Sequence, residues 1–562
     1  MSLTDSVVYQ IYPKSFRDST GDGVGDLRGI IEKVDYIASL GVDHVWFNPF
    51  FPSPGRDNGY DISDYCAIDP AMGTMEDFED LVAALGECGI GVMLDMVLNH
   101  VSTDHEWFQR ALAGDSAYQD YFYLLPPKED GSLPTNWVSK FGGPAWAPFG
   151  DTGLYYLCLY DRTQADLNWH NPAVRAQAAR VVNFWRSKGV KDFRFDVINV
   201  IGKTLPLEDA PADTDDRYMY TDGPLVHDYL RELSAASFGQ DPDAMTVGEM
   251  SSTTVEACVG YSNPANGELS MVFSFHHLKV DYADGAKWTR IPYDFVALKR
   301  ILNEWALGMQ AGGGWNALFW NNHDQPRAID RFADPVNYHV ESATMLATVI
   351  HLLRGTPYVY MGEEIGMTDP AYLAIEDYVD VEARNAYKEL TDGGMEPQEA
   401  FAVIHSKARD NARTPMQWNA EVPGAGFTTG RPWLRPTNQG TVNVEREEAQ
   451  GRILPYYRRL IALRKELPVI SRGAYAPYLM EHEDVLAYIR EYEGRRLLVL
   501  CNFSDHDAEV PVPEEFTTAC ILIGNYDGND ISNSLGELPV VADRLEAEAL
   551  HLRPYEAIAL LA

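Results

Sequence analysis

Two hydrophobic periods alternate along most of the chain. VVYQIYP (7–13) is an apolar run of strand length, and DLRGIIEKVDYIASLG (26–41) repeats apolar residues every three or four positions before ending on Gly41. The pair recurs as VDHVWFNPF (42–50) and MEDFEDLVAALGECG (75–89), and the next strand, IGVMLDMVLNH (90–100), is apolar until its last residues. Strands without polar alternation are buried on both faces, as in a parallel sheet. After an interruption at 101–170, rich in Gly, Pro, Trp and Tyr, the rhythm resumes with VRAQAARVVNFWRSKG (174–189) and DFRFDVIN (192–199). Strands follow at 244–250, 269–275, 316–324 and 356–364, with helical runs such as 294–310 and 342–355 between them.

Eight such units predict an α/β fold, a (β/α)8 TIM barrel with an inserted loop-rich domain after strand 3. A doubly wound sheet would need fewer units and a Gly-rich phosphate turn, and no GxGxxG occurs. YYRRLIALRKEL (456–467) reads as the last barrel helix. Beyond about 472 a period of two, as in VLAYIREYEGRRLLVLCNF (485–503), predicts a C-terminal antiparallel β-sandwich domain. The expected domains are 1–100 with 171–471 for the barrel, 101–170 for the insertion and 472–562 for the β domain.

Composition narrows the function classes. The 562 residues carry 45 Lys and Arg against 83 Asp and Glu, a net charge of −38 that excludes a phosphate-backbone partner such as nucleic acid. The six cysteines (66, 88, 158, 258, 501, 520) show no CxxC spacing, so neither a zinc site nor a disulfide framework is indicated. No stretch approaches the roughly 18 apolar residues of a membrane span, and MSLTDSVVYQIYPKSF lacks the segments of a signal peptide. The expectation is a cytoplasmic protein with no membrane partner and, as a starting point, a monomer.

In barrels of this kind, polar residues at the carboxyl ends of strands carry the chemistry. Those ends hold Asp95, Asn99 and His100, then Arg194 and Asp196, then Glu249, then His323 and Asp324. Three carboxylates, Asp196, Glu249 and Asp324, thus converge from strands four, five and seven. Paired carboxylates suit glycosidic cleavage, where one acid protonates the leaving oxygen and one carboxylate attacks or stabilises the oxocarbenium-like carbon. Arg194 shares a strand face with Asp196, so its guanidinium should keep that carboxyl ionised. Glu249, between Val247 and Met250, is the better candidate for the protonated acid.

DMVLNH (95–100), FRFDVIN (193–199), GEM (248–250) and NNHDQ (321–325) resemble the four signature segments of the α-amylase family of retaining glycoside hydrolases. QIYPKSF (10–16), NGYDISDY (58–65) and RTPMQW (413–418) extend the resemblance over the whole chain. It implies Asp196 as nucleophile, Glu249 as acid/base and Asp324 as transition-state stabiliser, with His100, His323 and Arg194 lining the same subsite. It further implies that Tyr60 stacks on the terminal glucose while Asp61 and Arg413 clamp its hydroxyls, the mark of an exo-acting enzyme. One departure is Asp192, where the family usually has Gly.

DSTGDGVGD (18–26) resembles the calcium loop of the oligo-1,6-glucosidase branch, with Thr20 in place of the usual Asn. Asp18, Thr20, Asp22, Asp26 and the Val24 carbonyl would hold a structural Ca²⁺, and no organic cofactor is implied. Val197, after the nucleophile, resembles the α-1,6 and trehalose-phosphate branches more than the α-1,4 enzymes. NWVSKFGGPAW (136–146) carries Lys140 where oligo-1,6-glucosidases have an apolar residue. Together with GEMSSTT (248–254), FSFHHLKVDY (273–282), KW (287–288), GGGWNALFW (312–320) and YTDGPLVH (220–227), it resembles the trehalose-phosphate branch.

The expected substrate is therefore a small phosphorylated disaccharide, α,α-trehalose 6-phosphate, cleaved to glucose and glucose 6-phosphate. Lys140, Lys279 and Lys287, with His277 as a further donor, are the expected phosphate contacts. An oligo-1,6-glucosidase or a sugar isomerase on the same scaffold is the alternative. A non-catalytic barrel related to transporter ectodomains would lack the three carboxylates. The charge of −38 does not oppose an anionic substrate, because screening acts within about 8 Å at physiological salt. Residues 501–562 alone hold 12 acidic and 2 basic side chains, far along the chain from the barrel motifs.

Overall fold

The computed structural model describes residues 3–526 and 548–562. Residues 527–547, part of the expected C-terminal domain, lie outside the described residues. Eight parallel strands form one sheet: β1 (Val8–Ile11), β2 (His44–Phe47), β3 (Gly91–Met96), β4 (Asp192–Phe195), β5 (Thr246–Glu249), β6 (Met271–Phe273), β7 (Ala317–Leu318) and β8 (Thr356–Tyr360). The neighbours run β6-β5-β4-β3-β2-β1-β8-β7, and a parallel bridge between Val272 and Asn316 joins β6 to β7 and closes the barrel. All eight expected strands are present, each shorter than its apolar run because the residues beyond its carboxyl end turn into loops. On β4, Phe193 and Phe195 are buried outward, Phe195 against Phe238, while Arg194 points to the barrel axis. Period two therefore puts the chemistry on one side and the packing on the other.

Helices cover the barrel as their caps dictate. Met75–Glu87 begins at Thr74, whose hydroxyl accepts from the Asp77 amide while Asp77 returns the bond. Pro172–Ser187 starts at Asn171, and Phe295–Gly312 at Asp294. The run expected as one helix at 26–41 is two, Leu27–Ile31 and Val34–Ser39. Two further helices, Val381–Asp392 and Pro397–Lys407, follow β8 and return the chain to the barrel mouth.

Within the insertion, His100–Ser102 pairs with Gln164–Asp166, and Leu124–Leu125, Tyr155–Leu157 and Trp146–Pro148 form a small antiparallel sheet. At the chain's end, strands Ala474–Tyr478, Val485–Tyr492, Arg495–Asn502, Ala557–Leu561 and Cys520–Gly524 make one antiparallel sheet. Ala508–Pro511 and Ala549–Leu552 pair as a second. Alternation decides the layering: Leu497, Val499 and Cys501 join the barrel's core, whereas Leu498 and Leu500 pack with Val510, Phe516 and Leu552 between the two sheets.

Candidate active site

Arg194 organises the centre. Almost wholly buried, its Nη1 donates to Asp95 at 2.6 Å and to Asp196 at 2.7 Å, and its Nη2 donates to Glu249. The ends of β3, β4 and β5 are thereby fastened to one guanidinium. Asp95 also accepts from Tyr60, 2.8 Å away, and burial pushes its carboxyl up to about 7 against the pull of Arg194. Burial likewise lifts Glu249 well above the usual carboxylate range; Arg194 opposes this, and Asp196 and Asp324 add to it. A protonated Glu249 beside Asp196 is the division of labour that a retaining mechanism requires.

Asp324 is the opposite case. Burial disfavours its charge, yet His323, Arg409 and Arg413 hold its carboxyl well below the ordinary range. Arg413 donates to it at 2.8 Å, and His323 Nε2 stands 3.1 Å away. Gln10 donates to His323 Nδ1 at 3.0 Å, which leaves the imidazole proton on Nε2, facing Asp324. Tyr60 stacks on His323 with ring centres 5.1 Å apart and planes within 3°. Asp196, Glu249, Asp324, Arg194, His323, Tyr60 and Arg413 thus form one cluster. His100 sits at its edge, against Tyr160 and 3.2 Å from the Gln164 amide.

One clamp residue is corrected. Asp61 is fully buried, and its oxygens accept from Ser53, Arg56 N and Asp57 N, so it ties its own loop together. The carboxylate that meets the arginines is Asp57, 2.9 Å from Arg409, which also pairs with Asp380 and reaches Asp324 at 3.5 Å. Asn58 and Gly59, with φ of 48° and 107°, reverse the chain and send Asp57 and Asp61 to different surroundings. Burial raises Asp57 to about 7, against Arg409.

The four expected phosphate donors separate. Lys140 stands at the mouth, its ammonium donating to Ser251, two residues beyond Glu249, and lying 5.5 Å from the Tyr160 ring centre. Its turn is fixed by Gly142, at φ 93°, where a Cβ would come within 2.3 Å of Glu389. Lys279 is half-buried nearby and lies in the field of Arg217 and Asp215. His277 is a correction: its Nε2 donates to the Phe319 carbonyl at 2.9 Å, and burial holds its pKa near 4, so it is a neutral part of the barrel wall. Lys287 is paired, both Glu382 oxygens taking its ammonium at 2.7 and 2.8 Å. Asp192 lies at the opposite, amino-terminal end of β4, bonded to His44 and Met245 N, and adds no charge to the centre.

Residues 10–473 match the family model described as the alpha amylase catalytic domain. The chain belongs to the α-amylase family. Residues 479–556 match the maltogenic amylase C-terminal domain. The trehalose-6-phosphate hydrolase of Bacillus subtilis (strain 168) is 47% identical over 98% of this chain and 97% of its own length. That of Escherichia coli (strain K12) is 49% identical over 89% and 90%. The crystal structure of Bacillus licheniformis trehalose-6-phosphate hydrolase is 46% identical, with a TM-score of 0.91 covering 100% of this chain and 99% of that one.

For this member of the α-amylase family, the 18–26 loop offers the right kinds of donor for a hard cation. As arranged, they face inward. Asp18 accepts from the amides of Thr20, Gly21 and Gly23 and from two threonine hydroxyls, and Asp26 from Ser19 and Gly29 N. Asp22 accepts from Val24 N, and among the described residues no three His, Cys, Asp or Glu converge as a metal-ligating group. Among the described residues, no helix is long and apolar enough to cross a membrane. Sequence reasoning missed Asp57, Arg409, Asp380, Ser251 and Arg217. Arg409 had a signal, standing one helical turn before Arg413, and Asp57 stood beside the NGYD segment. Arg217 had none, lying in an aperiodic loop.

Proposed function

We infer that this chain is an exo-acting retaining α-glucosidase hydrolysing α,α-trehalose 6-phosphate to glucose and glucose 6-phosphate. The observation that carries the substrate is the Lys140 ammonium on Ser251. It puts a cation beside the residue two beyond the acid Glu249, within reach of the leaving sugar that Glu249 protonates. Relatives of 47% and 49% identity bearing that activity in their names support the reading.

The residue roles are proposed as follows. Asp196 attacks the anomeric carbon while Glu249 gives its proton to the bridging oxygen, and Asp324 stabilises the positive charge that develops on the ring. Glucose 6-phosphate leaves. Glu249, now ionised, takes a proton from water, which displaces glucose from Asp196 with net retention. Arg194 keeps the three carboxylates of β3, β4 and β5 in register through both steps.

The test is product analysis on trehalose 6-phosphate, trehalose, isomaltose and sucrose. Glucose 6-phosphate release from the first, at least about tenfold faster than glucose from the others at equal low concentration, is the expected result. Equal cleavage of trehalose or isomaltose contradicts it. A structural Ca²⁺ at Asp18, Thr20, Asp22, Val24 and Asp26 is a separate proposal, which requires the carboxylates to turn from their N–H donors to a shared ion. Its check is a fall in Tm on chelation that added Ca²⁺ reverses; an unchanged Tm contradicts it.

A further inference from the structure

Among the described residues, six of the chain's 13 lysine ammonium groups have no carboxylate partner. Two such groups, Lys140 and Lys279, stand at the barrel mouth, and both are half-buried. Among the described residues, the Lys140 ammonium meets the Ser251 hydroxyl and the rings of Tyr160 and Tyr220, at 5.5 and 5.6 Å. Lys279 makes no side-chain hydrogen bond or ion pair among the described residues.

A third cation completes the cluster. Arg217 lies on the short turn Asp216–Met219, three residues before Tyr220, whose ring faces Lys140. That turn is stitched to the Lys140 loop: Asp216 accepts from Val138 N at 2.6 Å, and Trp137 packs on Tyr220 with ring centres 5.3 Å apart. Burial and the charge of Arg217 depress both lysines, Lys140 to about 8, and the nearby carboxylates Glu249 and Asp216 for Lys140 and Asp215 for Lys279 only partly offset this. Asp215 grips Arg217, its oxygens taking Nε at 2.8 and 2.7 Å and also Nη2.

We propose that Arg217 receives the phosphate of the substrate's second sugar by a two-point guanidinium contact, and that Asp215 is its resident anion, exchanged for phosphate on binding. The proposal rests on the phosphorylated-disaccharide reading above. Lys140, Lys279 and Arg217 supply three positive charges from three separate loops against the carboxylates of Asp215 and Asp216, and an anion that takes the place of Asp215 on the guanidinium meets a net positive cluster. A neutral disaccharide has nothing with which to displace Asp215 from the guanidinium. Selectivity then has a repulsive component, the cost of breaking that ion pair, alongside the attraction of the lysines.

The experiment is steady-state kinetics of the full chain and of Arg217→Gln, Arg217→Lys and Asp215→Asn. Substrates are trehalose 6-phosphate and p-nitrophenyl α-glucoside, which lacks the phosphate. Arg217→Gln should lower the ratio of kcat/KM on the phosphorylated over the aryl substrate by about 10- to 100-fold, through KM. Arg217→Lys should restore part of it, because lysine offers charge without the fork. Asp215→Asn should tighten competitive inhibition by inorganic phosphate. An Arg217→Gln ratio equal to wild type, in an enzyme that itself prefers the phosphorylated substrate, overturns the proposal and leaves the function standing. A wild type without that preference overturns both.

Discussion

The two ends of the active site are built on opposite electrostatic plans. At the glucose end the arginines are buried and each is paired: Arg194 with Asp95, Asp196 and Glu249; Arg413 with Asp324; Arg409 with Asp57 and Asp380. At the other end, Lys140 and Lys279 are half-buried without carboxylate partners among the described residues, while Arg217 is matched by Asp215. A neutral glucose gains most from donors and acceptors already held in place, because reorganisation during reaction is then avoided. A dianion gains most from cations that have not spent their charge. In the first plan, losing one partner leaves its mate as an uncompensated buried charge; the second holds cations together in the free protein and returns that cost as affinity.

That contrast can be broken experimentally, and the largest effect belongs to the paired end. Glu249→Gln should reduce kcat on trehalose 6-phosphate by about 10²–10⁴-fold. It should slow the first step much less on an aryl glucoside, whose leaving group needs no proton. Equal losses on both substrates, in pre-steady-state measurements, would remove Glu249 from the role of acid.

Next in size is Arg409→Met, which strands Asp57 in the interior and leaves Asp380 with Arg413 at 3.4 Å. Breaking a buried pair this way costs about 3–5 kcal/mol, so the urea midpoint should fall clearly. Lys140→Met is the matched experiment at the unpaired end. It should leave the midpoint unchanged or raise it, since a buried ammonium among other cations is relieved, while KM for trehalose 6-phosphate rises about tenfold or more. If both variants lose stability alike, the two ends are not built differently.

The smallest effect is the pH dependence of KM. Lys140, depressed by burial and then by Arg217, with Lys279 adding and Glu249 and Asp216 opposing, is cationic below about 8 and neutral above it. The phosphate monoester becomes a dianion above about 6. KM for trehalose 6-phosphate should therefore be lowest between those values and climb above about 8. KM for an aryl glucoside should lack the alkaline limb, and a shared limb would assign it to another group.

Much of this was legible in the sequence because periodicity reports where a strand ends. The buried runs through Asp95, Asp196 and Glu249 located three of the strand ends that face the barrel mouth. Loops carry no such period. Whether Asp57 or Asp61 meets the arginines depends on two left-handed residues between them, and the glucose-clamp motif alone pointed to the wrong one. Lys287 and His277 lay in the right segments, but their side chains are taken by Glu382 and the Phe319 carbonyl, partners distant in sequence. Arg217 became visible only once Trp137 and Tyr220 were seen to bring its turn beside Lys140.

The most direct measurement is calorimetric titration of the Glu249→Gln protein with trehalose 6-phosphate and with trehalose at one salt concentration. The unpaired cations predict tighter binding of the phosphorylated sugar by about 100-fold, about 2.7 kcal/mol. Equal affinity for the two would contradict the account, because Lys140, Lys279 and Arg217 would then have no anion to receive.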